Sequence, residues 1–113
     1  MKEIITNNLQ KNFSSLTEEQ LNLLVDFSIY PSEINLEYPD VKEILEQGSD
    51  YQLIDFEPEK LKDIKGVILF FTIPKDYPLD NIYDIGDDIT GDILFAVERK
   101  DVPEVKIRCL TIN

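Results

Sequence analysis

The stretch VILFFTI, residues 67–73, decides the expected fold of this chain. Thr72 is its single polar residue, so a strand built from this stretch is apolar on both faces. The stretch is too short for a typical helix and is rich in β-branched and aromatic side chains, which favour strands. We therefore predict a central strand that is covered on both sides and closed by Pro74.

Two more strands are expected after it, at residues 92–99 and 105–112. The second begins with a clean alternation of apolar and basic residues, which is typical of a strand with one buried face. Residues 100–104 lie between the two and are interpreted as a hairpin-type connection. A shorter alternating run at residues 51–56 predicts an edge strand.

The N-terminal half carries signals for helices instead. Thr17 is followed three residues later by Gln20, which is the pairing of a capping box, and this helix should end near Ile29, where a Tyr-Pro pair follows. A second helix is expected to begin with Asp40 as its cap and to end at Gly48 in a left-handed conformation. The first fifteen residues form either a short helix or a loose lead-in.

Helices first and strands afterwards indicate an α+β fold. We predict two or three N-terminal helices packed on one face of a small, mainly antiparallel C-terminal sheet, with the last strands forming a meander. The 113 residues fit a single domain over residues 1–113. A short strand pairing at residues 82–85 is a further expectation within the turn-rich segment 74–91.

The charge of the chain is strongly negative. It has 23 acidic and 11 basic residues and a net charge of −12, beyond the magnitude of about 2–8 common for small domains. Such a field attracts basic partners and repels nucleic acid, and the sequence has no basic stripe to neutralise phosphates. We therefore expect a basic protein as the partner and no nucleic acid.

Several function classes are disfavoured by composition. The chain has no histidine and one cysteine, so no zinc set, Ser-His pair, Cys-His pair or internal disulfide is expected. No apolar run approaches the ~20 residues of a membrane span. The N-terminus lacks a secretory signal pattern, so we expect a cytoplasmic protein without membrane contact.

Acidic residues concentrate in two blocks. Residues 37–59 contain eight acids and one base, and residues 76–92 contain six acids and no base. The second block also contains tyrosines, whose rings give contact area at low entropic cost while carboxylates accept forked bonds from arginine. The predicted partner-binding residues are Asp76, Tyr77, Asp80, Tyr83, Asp84, Asp87, Asp88 and Asp92.

The sequence IGDDITGD at residues 85–92 leaves other interpretations open. No starting point within it satisfies the ligand spacing of an EF-hand loop. A loose magnesium site is one alternative, and an exposed acidic turn with Gly86 and Gly91 at positive φ is another. A carboxylate-dependent enzyme is a third, although we predict no catalytic residue, no metal and no cofactor.

The short, acidic, histidine-free chain with its segment YPLDNIYDIGDDITGD, residues 77–92, resembles bacterial toxin-immunity proteins. Those of contact-dependent growth inhibition systems and nuclease colicins are the nearest comparison. The resemblance covers the general character of the whole chain and assigns no residue. It implies an inhibitor that neutralises a cognate nuclease-type toxin, often by occluding its active site. The alternatives are the metal-binding domain or enzyme above and an acidic adaptor protein.

Overall fold

A computed structural model of the chain describes residues 2–87 and 89–113. The predicted α+β class is confirmed, with three N-terminal helices before the first strand. The helices are α1 Lys2–Asn12, α2 Glu18–Ile29, α3 Tyr38–Leu45 and the single turn α4 Asp80–Tyr83. The strands are β1 Tyr51–Asp55, β2 Gly66–Ile73, β3 Asp92–Arg99 and β4 Lys106–Ile112. Short 3₁₀ turns occupy Pro58–Leu61 and Asp84–Gly86.

The strands form one sheet in the order β1-β4-β2-β3. β4 is antiparallel to both β1 and β2, whereas β3 runs parallel to β2. The predicted meander is therefore wrong in one respect, because β3 and β4 are separated by β2 and residues 100–104 do not make a hairpin. Stepping over one strand requires ~10 Å, which a connection of this length easily spans.

The central position predicted for residues 67–73 is confirmed. Ile68 and Phe70 face the three N-terminal helices, and Leu69 and Phe71 face the opposite side. All four side chains are buried. A strand that is apolar on both faces is stabilised most when both faces are covered and a strand pairs with it on each side. This explains why β2 lies between β3 and β4.

The capping box that begins α2 is also confirmed. The Gln20 amide nitrogen donates to Thr17 Oγ1 at 3.2 Å, and the Thr17 amide nitrogen donates to Gln20 Oε1 at 3.0 Å. The Gln20 side chain then donates to the Tyr51 carbonyl oxygen at 3.0 Å. Phe27 packs on Phe70 with ring centroids 5.1 Å apart, so this helix is fixed to the sheet.

The second helix begins earlier than expected. Glu37 is the N-cap of α3 and makes no side-chain cap bond, while Asp40 lies inside the first turn. Pro39 fits the first turn of a helix, where its missing amide hydrogen has no partner to lose, and this moves the start upstream of Asp40. Gly48 was expected to be left-handed, but no described glycine has a positive φ. Gly48 is instead packed against the backbone of Asn113, where a Cβ would overlap the carbonyl group.

Residues 74–91 form the parallel crossover from β2 to β3. The predicted strand pairing at residues 82–85 is wrong, since α4 and a 3₁₀ turn occupy this region. The crossover covers the face of the sheet opposite the N-terminal helices, and Ile82 is buried there beside Phe71. It is fixed at its start by Arg99, whose Nη1 donates to the Tyr77 carbonyl oxygen at 2.8 Å.

Among the residues that the structure describes, none of the helices has the length and apolar character of a membrane span.

Candidate docking surface

The outer edge of β3 is half open. Val97 exchanges two backbone hydrogen bonds with Ile34 on that side, at 2.9 and 3.1 Å. Because hydrogen-bonding direction alternates along a strand, Ile93 and Phe95 also direct their N–H and C=O groups outward. In the part of the chain that the structure describes, Ile34 alone pairs with this side. We call the outward side of Asp92–Phe95 the open edge.

A groove lies beside the open edge under the crossover, and we call it the crossover groove. Its volume is about 200 Å³, and Leu69, Phe71, Ile82, Tyr83, Ile93 and Phe95 contribute its apolar lining. The Tyr83 ring meets the Phe95 ring edge-on at 5.7 Å between centroids. Tyr83 is 51% exposed, so the groove has an accessible aromatic wall.

A second groove lies on the other side of the same strand, between β3 and α3, and we call it the helix groove. Its volume is about 140 Å³. Ile44 and Leu94 form its apolar floor. Ile93 borders both grooves, and its side chain lies on the crossover side, close to Gly86. Ile93 is 37% exposed, which is unusual for an isoleucine in a strand. The open edge is therefore bordered by accessible apolar surface on the crossover side and by a groove with an apolar floor and acidic walls on the helix side.

Carboxylates surround the open edge and come from both acidic blocks of the sequence. Asp40 and Glu43 on α3 line the helix groove with Asp92, and Asp87 lines the crossover groove. These four side chains are exposed, and no ion pair among the described residues includes them. The negative charge at the open edge is therefore uncompensated.

Some acids elsewhere in the described chain have a basic partner. Glu33 pairs with Arg99 at 3.4 Å, and Glu19 pairs with Arg108 at 3.2 Å. Both arginines pair with acids of the N-terminal half, and neither pairs with a predicted partner-binding residue. The basic residues of the described chain thus leave the acids of the crossover and of the open edge free to act on other molecules.

The predicted partner-binding residues form a band along the crossover. Tyr77 is half-buried, and the other described members are exposed: Asp76, Asp80, Tyr83, Asp84, Asp87 and Asp92. Asp88 lies outside the described residues. Asp76 follows the end of β2 while Asp92 begins β3, so the two are separated by about the length of an eight-residue strand, or ~26 Å. The members nearest the open edge are Tyr83, Asp87 and Asp92.

Sequence reasoning missed Asp40, Glu43 and Ile93 as members of this surface. An apolar triplet directly after Asp92 was visible in the sequence. The two acids of α3 had no such signal, because only the tertiary packing of α3 beside β3 brings them to the edge. The alternative of an acidic turn with Gly86 and Gly91 at positive φ is wrong in that conformation, because neither glycine has a positive φ. Gly91 is instead pressed on backbone, since a Cβ there would lie 2.5 Å from the Ile64 carbonyl oxygen.

Titratable groups with a shifted pKa lie away from the open edge. Burial, followed by the nearby charge of Asp55, raises the pKa of the Cys109 thiol to about 12. Burial, followed by the charge of Glu46, raises the pKa of Tyr51, whose hydroxyl donates to the Leu45 carbonyl oxygen at 2.8 Å. Within residues 2–87 and 89–113, no three acidic or cysteine side chains converge as metal ligands. The described site thus offers apolar contact, backbone pairing and negative charge.

Comparison with known proteins bears on the fold. No protein-family model and no curated protein matches the sequence. The chain is similar to an empty FtsZ dimer from M. jannaschii, with a TM-score of 0.63 and 11% identity over 96% of this chain and 43% of that one. It is also similar to a point mutant of the same FtsZ, with a TM-score of 0.56 and 14% identity over 93% and 44% of the two chains. This chain spans less than half the length of these FtsZ chains, and at such low identity the likeness shows the fold alone.

Proposed function

We propose that this chain is an acidic protein-binding module that inhibits a basic partner, in the manner of an immunity protein that neutralises a nuclease-type toxin in the cytoplasm. The observation that supports the proposal is the open edge of β3, where two apolar grooves meet four unpaired carboxylates. An enzyme that handles nucleic acid has a cationic substrate surface, and carboxylates occupy that surface in place of phosphates. Binding there blocks the substrate.

Charge and apolar surface have separate roles in this proposal. The net charge of −12 speeds encounter with a cation, because opposite fields raise association rates above the ~10⁵–10⁶ M⁻¹s⁻¹ of neutral pairs. Affinity comes mainly from the buried centre of an interface, where aromatic anchors dominate. Tyr83 and Ile93 provide that centre, and Asp40, Glu43 and Asp87 provide the charged rim.

Both acidic blocks belong to one interface in this view. The residues expected from sequence reach the open edge through Tyr83, Asp87 and Asp92, and α3 adds Asp40 and Glu43. Asp76 and Tyr77, at the far end of the crossover, act through the long-range field.

A matched pair of double variants tests the proposal. Asp87→Asn with Asp92→Asn removes two charges at the open edge. Asp101→Asn with Glu104→Gln removes two exposed charges from the connection after β3, at the opposite end of that strand. Basic proteins captured by the wild-type chain from lysate of the source organism are first identified by mass spectrometry and purified. Association rates are then measured between 50 and 500 mM salt.

The first variant is expected to associate more slowly and to show a flatter salt dependence, whereas the second retains most of the wild-type rate at every salt concentration. Inhibition is scored by growth of a bacterial host that expresses the captured protein with each variant. Equal losses in both variants would contradict the assignment of the site. A partner that binds at the open edge without growth protection would make the chain an acidic adaptor rather than an inhibitor.

A further inference from the structure

We infer that the partner contributes an extended segment of alternating apolar and basic residues, which adds to the open edge as a fifth strand beside β3. This inference rests on the proposed function and states how the partner is held. Its backbone would pair with Ile93 and Phe95, its apolar side chains would enter the crossover groove, and its basic side chains would lie in the acid-lined helix groove.

The backbone of the open edge is ready for such pairing. Ile93 and Phe95 each direct one N–H and one C=O outward, so four backbone hydrogen bonds are available. Val97 and Ile34 already form one antiparallel bridge on the same side, with both bonds near 3 Å. The side of β3 that receives a strand is thus accessible to a backbone, and Asp92–Phe95 continue it for ~13 Å.

The grooves fit the alternation of a strand. Side chains of an added strand point alternately to the two faces of the sheet, and one groove lies on each face beside Ile93. Their volumes of about 140 and 200 Å³ exceed the ~30 Å³ share of a water several times. The crossover groove therefore has room for a branched aliphatic side chain against Phe71 and Tyr83. The helix groove has room for the aliphatic stem of a lysine against Ile44.

Charge determines which strand is accepted. An open apolar edge ordinarily invites a second copy of the same chain. Here a second copy would carry another −12 and would place Asp87 and Asp92 beside their own counterparts, which is destabilising. The basic side chains of an alternating strand instead meet Asp40, Glu43 and Asp92 in the helix groove as ion-pair partners, and Asp87 adds to the negative field from the other face. The surface thus favours a cationic segment over self-pairing.

Two substitutions at one position separate backbone pairing from side-chain contact. Ile93→Ala and Ile93→Pro both remove the isoleucine side chain, but proline also removes the outward N–H. Proline is tolerated in an edge strand when its nitrogen faces solvent, so the pairing of β3 with β2 is retained. The probe is a fluorescein-labelled peptide of sequence KVKVKVK, with EVEVEVE as its charge-reversed control.

KVKVKVK is expected to bind the wild-type chain and EVEVEVE is not. Ile93→Pro should weaken binding about tenfold more than Ile93→Ala, because one hydrogen bond is lost and its partner on the peptide is left buried without a substitute. In NMR hydrogen exchange, the peptide should slow exchange at the Ile93 and Phe95 amides. The Leu94 and Ala96 amides, which already face β2, should change little.

Peptides carrying N-methyl groups on alternate residues give a second test that does not depend on any variant folding. An added strand uses the amides of one side only, so one N-methylation pattern should abolish binding and the other should leave it intact. Equal binding by both patterns, or no protection at Ile93 and Phe95, would overturn strand addition. If the captured basic partner still responds to Asp87→Asn with Asp92→Asn, the proposed function survives that failure. If the peptide pairs with the edge but no basic protein is bound and inhibited, the proposed function fails alone.

Discussion

The two edge strands of the sheet differ in length and in the partners of their outward backbone groups. β1 has five residues, and the outward carbonyl oxygen of Tyr51 is covered by the Gln20 side chain at 3.0 Å. β3 has eight residues, and in the described chain its outer side is paired at Val97 alone. Short length and polar cover are common protections for an exposed edge. The molecule thus keeps one edge strand short, with a polar side chain bonded at its start. The longer edge strand has apolar residues, Ile93 and Phe95, whose outward backbone groups have no partner among the described residues.

Charge follows the same division. At β1, Asp55 lies 3.9 Å from Arg108, so the acid of that edge has a basic neighbour. At β3, Asp87 and Asp92 are not part of any ion pair among the described residues. Acids outside any ion pair also occur elsewhere in the described chain, for example at Glu3, Asp101 and Glu104. The open edge differs from those places because its unpaired acids lie beside unpaired backbone and the exposed side chain of Ile93.

The largest effect is expected from moving a proline by one residue along β3. Leu94→Pro removes an N–H that faces β2, so it breaks the ladder and should cost more than about 3 kcal/mol or prevent folding. Ile93→Pro removes an outward N–H and should cost far less. Urea unfolding of both, with Leu94→Ala and Ile93→Ala as side-chain controls, measures the difference. Similar losses for the two prolines would mean that Ile93 does not face outward.

The next largest loss of stability is expected for substitution of the glycines that precede the two edge strands. A Cβ at Gly48 would overlap the Asn113 carbonyl group, and a Cβ at Gly91 would lie 2.7 Å from the Lys65 carbonyl oxygen. Both positions need backbone to move, so alanine at either should cost about 1–3 kcal/mol. Gly86→Ala is the control, because its Cβ meets only the mobile end of Ile93 at 3.0 Å and should change stability by less than about 0.5 kcal/mol. Equal thermal stability of all three variants would contradict these backbone contacts.

The contribution of the Gln20 bond at the β1 edge can be compared with that of the capping box, because the Gln20 side chain takes part in both. Thr17→Ala removes the cap alone and should cost about 1 kcal/mol. Gln20→Ala removes the reciprocal cap bond and the bond to Tyr51, and it leaves a cavity because Gln20 is buried, so the loss should be roughly twice as large. Chemical unfolding of both variants gives the values. A Gln20→Ala loss no greater than that of Thr17→Ala would mean that the side chain adds little to the edge.

The smallest effect concerns Cys109, which pairs with Ile54 in the register of β1 and β4. Its pKa of about 12 exceeds the ordinary thiol value, so the unfolded chain loses a proton that the native chain keeps. Stability from this group is complete below about pH 9 and falls as the pH rises from there towards 12. Unfolding measured at pH 8 and pH 9.5 should show a steeper alkaline decline for wild type than for Cys109→Ala.

The same thiol reports opening of the β1 side. Iodoacetamide at pH 8 should modify Cys109 slowly in the native chain and rapidly in urea, because the thiol is buried and protonated. Rapid native modification would show that the β1 side opens often and would remove the contrast with β3.

Local signals in the sequence were sufficient for much of the fold. Thr17 and Gln20 fixed the start of α2 because a capping box is complete within four residues. Residues 67–73 identified the central strand because their composition requires cover on both faces. The neighbours of that strand were not predictable in the same way, since β3 follows an eighteen-residue segment that suits either an excursion of loops or a parallel crossover.

The candidate site, too, was predictable from the sequence only in part. Exposure of Asp84, Asp87 and Asp92 followed from their turn-rich surroundings. The open edge required knowledge of strand order, and the contribution of Asp40 required knowledge of helix packing. Both are decided by contacts between residues distant in the chain, which no local pattern encodes.

Arg99 has a consequence for what the crossover groove accepts. Its guanidinium donates to the carbonyl groups of Pro74, Lys75 and Tyr77 near the start of the crossover. At the other end, Gly91 is packed against the backbone of Ile64 and Lys65. A segment anchored at both ends has little freedom to rise from the sheet as a unit. We therefore expect the groove to keep a nearly constant width and to discriminate among side chains by size, with rotation of Tyr83 as its main means of adjustment.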